Sequence, residues 1–351
     1  MNKKIQNALI SVYDKKKIKS LLKCLKKHKI RIISSGGTYR KIRELGYDCT
    51  EVSNFTKSKE MLNGRVKTLH PKIHAGILFK RKKKTHVDDL KINNFEAIDL
   101  VIVNFYPFEL TLKKTKDHQK IVENIDIGGP AMVRAAAKNY EDVTVLTSNL
   151  QYDGLIKELN EYNGSTSIEY RVKMSEDAFT ETGCYDAIIS SYFNKKSKNI
   201  FPKKKLLYLN QIEKLRYGEN PHQDAALYSY GKFLDINQLQ GKKLSYNNYN
   251  DIFSAICISK SLPKGTGTVI VKHANPSGVS IHKDKIKSFK LALKSDPISA
   301  YGGIVSCNFR IDKKIAKELN KIFLEVIIGI GISEEALNEF KKRKNLRVID
   351  S

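Results

Sequence analysis

Short apolar runs alternate with amphipathic segments in the first part of the chain, and this alternation limits the folds open to it. The runs Ala8–Val12, Ile30–Ile33, Leu100–Val103 and Val143–Leu146 have the length and character of buried strands. Lys16–His28, between the first two, carries apolar residues at helical spacing. Strands that alternate with helices form a doubly wound parallel sheet, whose sites lie at the carboxyl ends of its strands. We therefore predict an α/β fold.

The same patterns continue along the chain and divide it into two parts. In the first part we predict helices over Thr38–Leu45, Pro130–Lys138 and Ser167–Phe193. In the second part the predicted strands are Ala225–Ser229, Thr268–Val271, Ile304–Cys307 and Val326–Ile330, and the predicted helices include Ile311–Leu324 and Glu334–Lys342. A polar, basic stretch containing Pro202 lies between the two parts. The predicted organisation is a domain over 1–195, a linker over 196–205 and a domain over 206–351.

Length and cysteine usage favour an ordinary cytoplasmic protein. The 351 residues suffice for two domains of about 150 residues each. No uncharged apolar stretch approaches the roughly 18 residues of a membrane span, and the first residues lack the pattern of a secretion signal. The five cysteines are scattered and form no C-x-x-C pair, which argues against both a disulfide framework and a zinc cluster.

The net charge of +26 permits two interpretations. A basic RNA-binding protein is one of them. The other is a lysine-rich composition without a nucleic-acid partner, and we favour it because the lysine runs lack the interleaved aromatic residues on which bases stack. A positive field would still attract phosphorylated substrates.

The run Gly64–Pro71 has the chemistry of an anion-binding loop. Arg65 offers a planar fork for phosphate, Lys67 offers a compact charge, and Thr68 adds a hydroxyl. A solvated basic turn is the common alternative for such a run. His70 and His74 are four residues apart, but Pro71 interrupts a helix there and no carboxylate or cysteine joins them, so we predict no metal site.

Two glycine-containing segments support the anion-binding interpretation. Ser35–Thr38 opens a predicted helix, where free backbone N–H groups and hydroxyls can hold a phosphate. Asn124–Pro130 precedes the predicted helix that ends at Lys138. With Gly64–Pro71, these segments resemble the N-terminal half of the bifunctional purine biosynthesis family, which joins an IMP cyclohydrolase to an AICAR formyltransferase.

Two later motifs, Arg216–Gln223 and Val271–Pro276, resemble the second half of the same family. The resemblance runs from about Ala8 to the last residue. It implies a methylglyoxal-synthase-like doubly wound sheet followed by the first half of a cytidine-deaminase-like α/β formyltransferase domain. It also implies a homodimer that acts on AICAR, formyl-AICAR and IMP, with no nucleic-acid or membrane partner.

The resemblance assigns a role to each residue of the cyclohydrolase site. Lys67 is expected to stabilise the oxyanion, Tyr106 to donate a proton or hydrogen bond, and Asp126 to orient the attacking amide. Lys138 is the expected general acid and base, and we expect burial beside Arg134 to lower its pKa. The residues expected to bind the nucleotide are Ser11, Lys15, Ser35, Gly36, Gly37, Thr38, Arg65, Thr68 and Asn104, of which Asn104 is expected to read the base.

Tyr13 departs from the family pattern, because a small serine usually stands at that position. Its larger side chain puts one expected contact in question. The sequence predicts that Tyr13→Ser does not weaken nucleotide binding.

For the transferase, the resemblance makes His273 the base and Lys272 the transition-state stabiliser. Arg216, Tyr217, Gly302 and Glu325 are the expected nucleotide contacts. The expected co-substrate is 10-formyltetrahydrofolate, and no metal is expected. The Gly329–Gly331 turn lacks the proline that the family usually has there.

The family's second transferase half follows the point where this sequence ends. We therefore expect an incomplete transferase site that is inactive unless a separately encoded C-terminal half supplies the rest. A single-activity enzyme like methylglyoxal synthase is an alternative, although Asp126 alone does not reproduce the carboxylates and histidine of that enzyme.

Overall fold

The protein, described by a computed structural model, divides into two compact units, Met1–Leu206 and Leu207–Ser351. The structure describes residues 2–230 and 235–351. Met1, in the first predicted domain, and residues 231–234, in the second, lie outside the described residues. Within the described ranges, every helix is too short or too polar to cross a bilayer.

A five-stranded parallel sheet is the centre of the first unit, as the alternation of strands and helices predicts. Its spatial order is β4-β3-β2-β5-β6, and a separate pair joins β1 to β7. Ala8 of β2 lies beside Ile32 on one side and Leu100 on the other. The strands are β1 Lys3–Lys4, β2 Asn7–Val12, β3 Arg31–Ser34, β4 Thr50–Glu51, β5 Leu100–Asn104, β6 Thr144–Leu146 and β7 Ser165–Thr166.

Helices pack around this sheet and bury a continuous apolar core. Strands β2 and β5 are almost entirely buried, which is why their sequences read as continuous apolar runs. The helices are α1 Ile18–Lys27, α2 Gly36–Glu44, α3 Val52–Thr56, α4 Pro71–Leu78, α5 Lys84–Ile92, α6 Phe108–Lys114, α7 His118–Glu123, α8 Gly128–Lys138, α9 Tyr152–Glu161 and α10 Ile168–Lys196.

The second unit contains a mixed six-stranded sheet of order β10-β15-β14-β13-β11-β12 and a hairpin of β8 and β9. Strands β13, β14 and β15 are parallel, whereas β11 pairs antiparallel with both β12 and β13. The strands are β8 Asn210–Lys214, β9 Ala226–Ser229, β10 Asn237–Gln240, β11 Gly267–Lys272, β12 Asn275–Ile281, β13 Ile304–Cys307, β14 Val326–Gly329 and β15 Arg347–Asp350. The helices are α11 Tyr246–Ser261, α12 Lys285–Ser295, α13 Lys313–Leu319 and α14 Glu334–Phe340.

Helix ends differ from the sequence-based bounds where local hydrogen bonding decides them. Helix α2 begins at Gly36, two residues before the predicted start, because Gly36 takes a positive φ of 54° that turns the chain out of β3. Helix α13 begins after Asp312, whose carboxylate caps it, and ends at Leu319 instead of Leu324. Helix α10 continues to Lys196, into the first residue of the predicted linker.

Arg171 on α10 is a buried cation that ties three segments of the first unit together. Its side chain is 1% exposed, and its guanidinium donates to the carbonyl oxygens of Tyr140 at 2.8 Å, of Glu141 at 3.2 Å and of Thr166. A buried group held in this way contributes to stability mainly because its removal leaves several carbonyls unsatisfied.

We expect Arg171→Ala to lower the free energy of unfolding of the first unit by roughly 3 kcal/mol or more, because it creates a cavity and removes these donors. Urea denaturation measures the change. The matched control is Arg43→Ala, whose exposed side chain pairs with Asp48 and should change stability by about 0.5 kcal/mol or less. Equal effects of the two substitutions would contradict the structural role given to Arg171.

Candidate active site

A cleft of about 740 Å³ lies at the carboxyl ends of β2, β3 and β5 in the first unit. Parallel strands bring their following loops to one edge of the sheet, and segments far apart in sequence meet there. The residues of the predicted site that line this cleft are Ser11, Lys15, Ser35, Gly36, Gly37, Thr38, Arg65, Lys67, Thr68, Asn104, Tyr106 and Asp126.

Two lysine ammonium groups converge on the start of α2. Lys67 Nζ lies 3.7 Å from the position that a Cβ would take on Gly36, and Lys15 Nζ lies 3.8 Å from the equivalent position on Gly37. The first N–H groups of a helix have no partner within the helix, and they carry the positive end of its dipole. Two cations over a glycine helix start form a site for a phosphate or a similar anion.

The hydroxyl of Thr38 has a structural function that the sequence does not reveal. Thr38 Oγ1 donates to the carbonyl oxygen of Val12 at 2.9 Å and accepts from the N–H of Val12 at 3.0 Å. Thr38 therefore fixes the end of β2 to the start of α2. Its hydroxyl is used for this contact with Val12, whereas the prediction assigned it to phosphate binding.

Both cations of the Gly64–Pro71 loop are paired with carboxylates. Lys67 Nζ lies 2.8 Å from Glu60 Oε2, and Arg65 forms a two-point ion pair with Glu123. This hydrogen bond from Arg65 lowers the pKa of the Glu123 carboxyl. Gly64, at a φ of 93°, makes the first pair possible, because a Cβ there would lie 2.7 Å from both Glu60 and Lys67. The carboxylates hold the cations at the cleft and compete with an anionic ligand for them.

Asn104 uses both ends of its side-chain amide to hold the backbone, a structural function that the sequence does not reveal. Its Oδ1 accepts from the N–H groups of Tyr13 at 2.6 Å and Asp14 at 3.1 Å, and its Nδ2 donates to the carbonyl oxygen of Asp14 at 3.3 Å. The Asn104 side chain thus spans β5 and the turn after β2. It positions Tyr13 and, two residues later, Lys15.

Asp126 lies beside the start of α8 with its carboxyl group partly buried. Its Oδ1 accepts from the N–H of Gly129 at 2.8 Å, and the backbone N–H of Tyr106 also donates to it. Burial raises the pKa of Asp126 above its usual value, although these two hydrogen bonds oppose the shift. Gly128 and Gly129 allow the close packing, because a Cβ on Gly128 would lie 2.7 Å from Thr68 Oγ1 and one on Gly129 would overlap the Asp126 carboxylate. A partly buried carboxyl with a raised pKa at the edge of a cleft is suited to proton transfer.

Lys138 is not among the residues that line the cleft, and its expected burial beside Arg134 is wrong. Both side chains are exposed, and the Arg134 guanidinium lies 5.6 Å from the ring centre of Phe179. The reason is the helical period, because the buried face of α8 carries Met132, Val133 and Ala135–Ala137. Positions 134 and 138 share the opposite face, and Lys138 lies roughly 15 Å along the helix from Gly128.

In the second unit, Lys272 is the last residue of β11, and His273 is the next residue in the chain. Lys272 Nζ donates to the carbonyl oxygen of Tyr301 at 2.9 Å, next to Gly302. His273 and Ala274 have positive φ values of 53° and 59°, a conformation that is unfavourable for residues other than glycine. The Asp251 carboxylate accepts from the N–H of Ala274 at 2.6 Å and holds this turn.

The other predicted transferase residues fall into two groups. Glu325 lies beside Gly303 through a backbone hydrogen bond of 3.0 Å, and its Oε2 accepts from Asn248 Nδ2 at 3.0 Å. The Arg216 guanidinium lies 5.7 Å from the ring centre of Tyr217. Among the described residues, no hydrogen bond, ion pair or ring contact joins this pair to Lys272 or His273. The structure therefore groups Lys272, His273, Gly302 and Glu325 around the ends of β11, β13 and β14.

Comparison with known proteins agrees with the geometry of both units. The family described as "AICARFT/IMPCHase bienzyme" matches residues 136–351, and the "MGS-like domain" matches residues 17–131. The chain is 43% identical to "Bifunctional purine biosynthesis protein PurH" of Clostridioides difficile (strain 630), over 98% of this chain and 68% of that protein. The protein of the same name from Leptospira biflexa serovar Patoc (strain Patoc 1 / Ames) is 44% identical over 98% of this chain and 67% of its own length. A solved crystal structure of ForH covers 54% of this chain and 99% of its own at 32% identity, with a TM-score of 0.49.

The chain belongs to the AICARFT/IMPCHase bienzyme family, and it spans about two thirds of the length of the relatives that it matches. It is an enzyme of purine biosynthesis, and the family resemblance drawn from its motifs is confirmed. The matches extend across both units, so they favour neither an RNA-binding protein nor a single-activity enzyme. In the part of the chain that the structure describes, no group of three or more histidine, cysteine and carboxylate side chains could hold a metal ion.

We expect Gly129→Ala to lower the free energy of unfolding by about 1–3 kcal/mol, because its methyl group displaces the Asp126 carboxylate that caps α8. Thermal and urea unfolding measure the loss. Gly183→Ala is the matched control, because a Cβ at Gly183 in α10 meets nothing within 4 Å and should stabilise the helix slightly. A Gly129→Ala variant as stable as the wild type would show that packing does not require glycine at position 129.

Proposed function

We propose that the cleft of the first unit closes the ring of formyl-AICAR to give IMP and water. The observation that supports this most directly is the convergence of Lys15 and Lys67 on the glycine start of α2. With the phosphate held by Lys15 and the N–H groups at the start of α2, the heterocycle lies among the remaining lining residues, which include Lys67, Tyr106 and Asp126. Fixed positioning of the two reacting groups is a large part of the catalysis of a ring closure.

In the proposed reaction, the carboxamide nitrogen forms a bond to the formyl carbon, and negative charge develops on the formyl oxygen. Lys67 stabilises that oxygen, and Asp126, whose pKa burial raises, orients the amide and accepts a proton from it. Tyr106 donates to the oxygen, which leaves as water after taking up two protons that the nitrogens lose. Arg65 contributes to binding of the phosphate.

For the second unit we propose formyl transfer from 10-formyltetrahydrofolate to the amino group of AICAR. His273 takes the proton of that amino group and Lys272 stabilises the transition state, as the resemblance implies. The strained turn at His273 and Ala274, held by Asp251, supports this role, because strained backbone is concentrated at functional sites. We also propose that residues 1–195 and 206–351 are the two functional domains of a cytoplasmic homodimer.

We expect Lys67→Ala to lower kcat for conversion of formyl-AICAR to IMP by roughly a hundredfold or more, because it removes the cation nearest the reacting oxygen. The absorbance change on purine formation measures the rate. Lys41→Ala is the matched control, because Lys41 lies on α2 outside the cleft and pairs with Glu44. Turnover of Lys67→Ala at the rate of the control would refute the assignment.

Lys138→Ala belongs to the same experiment. The resemblance makes Lys138 catalytic, whereas its exposed position on α8 leaves it outside the lining of the cleft in one chain. If Lys138→Ala also loses a hundredfold in kcat, its ammonium must reach the reaction from a second copy of the chain. If the variant retains turnover, Lys138 is not required for ring closure and Lys67 is the catalytic lysine of the proposal.

We expect Glu60→Gln to lower the dissociation constant for IMP by roughly two- to fivefold, because an exposed ion pair is worth about 0.2–1 kcal/mol and the ligand no longer competes with it. Isothermal titration calorimetry measures the affinity. The control is Glu44→Gln, which breaks the Lys41 pair on α2 and should leave IMP binding unchanged. Weaker binding by Glu60→Gln would indicate that Glu60 holds Lys67 in its active position.

A further inference from the structure

Tyr13 and Tyr106 meet at the cleft as an exposed aromatic pair. Their ring centres are 5.8 Å apart at an interplanar angle of 71°, and each side chain is 50% exposed. Tyr13 follows β2 and Tyr106 follows β5, the two neighbouring strands at the middle of the sheet. Two aromatic rings in contact beside an anion site form an apolar surface that a flat ligand can cover.

We propose that Tyr13 and Tyr106 form an aromatic wall on which the flat heterocycle of the nucleotide lies, so that the cleft prefers a nucleotide to a bare sugar phosphate. This proposal rests on the proposed function of the first unit. It adds a specificity-determining residue, Tyr13, which the family resemblance does not provide. The edge-to-face arrangement supports it, because one ring braces the other and leaves ring surface open toward the cleft.

The backbone of each tyrosine is fixed by a side chain of the same cleft. Asn104 accepts from the N–H of Tyr13, and the Asp126 carboxylate accepts from the N–H of Tyr106. Asp14, next to Tyr13, accepts in addition from Asn149 Nδ2 at 2.9 Å. A wall positioned in this way loses little conformational freedom when a ligand binds, so more of the stacking energy appears as affinity.

The aromatic wall lies close to the anion site. Lys15 Nζ donates to the carbonyl oxygen of Tyr13 at 3.2 Å, and the same ammonium group lies over Gly37 at the start of α2. One lysine side chain therefore spans the distance between the anion site and the backbone of Tyr13. A nucleotide whose phosphate lies at α2 presents its sugar and ring within reach of the two tyrosines.

This geometry reverses the expectation drawn from the sequence, in which Tyr13→Ser leaves nucleotide binding intact. That expectation treats Tyr13 as a bulky replacement for a small residue that contacts phosphate. In the structure the Tyr13 ring contacts Tyr106 instead, and the cations of the anion site come from other residues. The serine variant removes the ring and its brace without touching Lys15, Lys67 or α2.

The test compares two ligands with the same phosphate, IMP and ribose 5-phosphate, by calorimetry on the full chain. We expect Tyr13→Ser to weaken IMP binding by roughly five- to 140-fold, since a stacked base is worth about 1–3 kcal/mol. Its affinity for ribose 5-phosphate should change by less than about twofold. Tyr13→Phe keeps the ring and should retain IMP affinity to within about threefold. Circular dichroism and thermal unfolding verify that each variant is folded.

Tyr230→Ser is the matched control, because Tyr230 is 63% exposed and forms a similar edge-to-face pair with Tyr208 outside the cleft. It should leave both affinities unchanged. Equal losses for both ligands in Tyr13→Ser would overturn the proposal and assign the effect to the shared ribose phosphate. The same loss in Tyr13→Phe would also overturn it and assign the effect to the hydroxyl. A wild-type chain that binds IMP no better than Tyr13→Ser overturns the aromatic wall alone, whereas a wild-type chain that binds neither ligand overturns the proposed function as well.

Discussion

The parallel pairing of β2 with β3 on one side and β5 on the other is the constraint on which the cleft depends. It brings the turn after β2, the start of α2 and the segment after β5 to one edge of the sheet. Two hydrogen-bonded side chains then fix these three segments relative to one another. Thr38 joins α2 to Val12, and Asn104 joins the end of β5 to Tyr13 and Asp14. The lysines, the tyrosines and the glycine turn keep their positions because these short contacts hold the backbone that carries them.

Positive charge gathered for an anion must be balanced when no ligand is bound. In this chain, Glu60 and Glu123 provide that balance for Lys67 and Arg65. Both pairs are largely exposed, so each contributes little to stability and an incoming phosphate can replace it at small cost. Lys15 differs from these cations, because it is held by the carbonyl oxygen of Tyr13 rather than by a carboxylate. A ligand must therefore displace a carboxylate at each loop cation, whereas no ion pair among the described residues holds Lys15.

Much of the first unit could be predicted from the sequence because its signals are local. Continuous apolar runs mark buried parallel strands, and the rule that sites lie at strand ends places Lys15, Ser35 and Tyr106 together without any knowledge of side-chain contacts. The exposure of Lys138 was also available in the sequence, since Met132, Val133 and Ala135–Ala137 define the buried face of its helix. The hydrogen bonds from Asn104 to the turn after β2 could not be predicted, because its partners lie about ninety positions away and no periodicity encodes such a contact. The ion pair of Glu60 depends on the positive φ of Gly64, which is likewise invisible to pattern reasoning.

The two units differ in how glycine is used at their proposed sites. In the first, Gly128 and Gly129 allow Thr68 and Asp126 to approach the start of α8 without a steric clash. In the second, His273 and Ala274 adopt the left-handed conformation without glycine, at a cost of order 1 kcal/mol or more for each residue. The proposed role of His273 as a base needs its imidazole, which glycine lacks. The Asp251 carboxylate, through its short hydrogen bond to Ala274, offsets part of this strain and keeps the turn in one conformation. A strained turn after β11 that is held by a carboxylate of α11 therefore gives the imidazole of His273 the fixed position that its proposed role as a base needs.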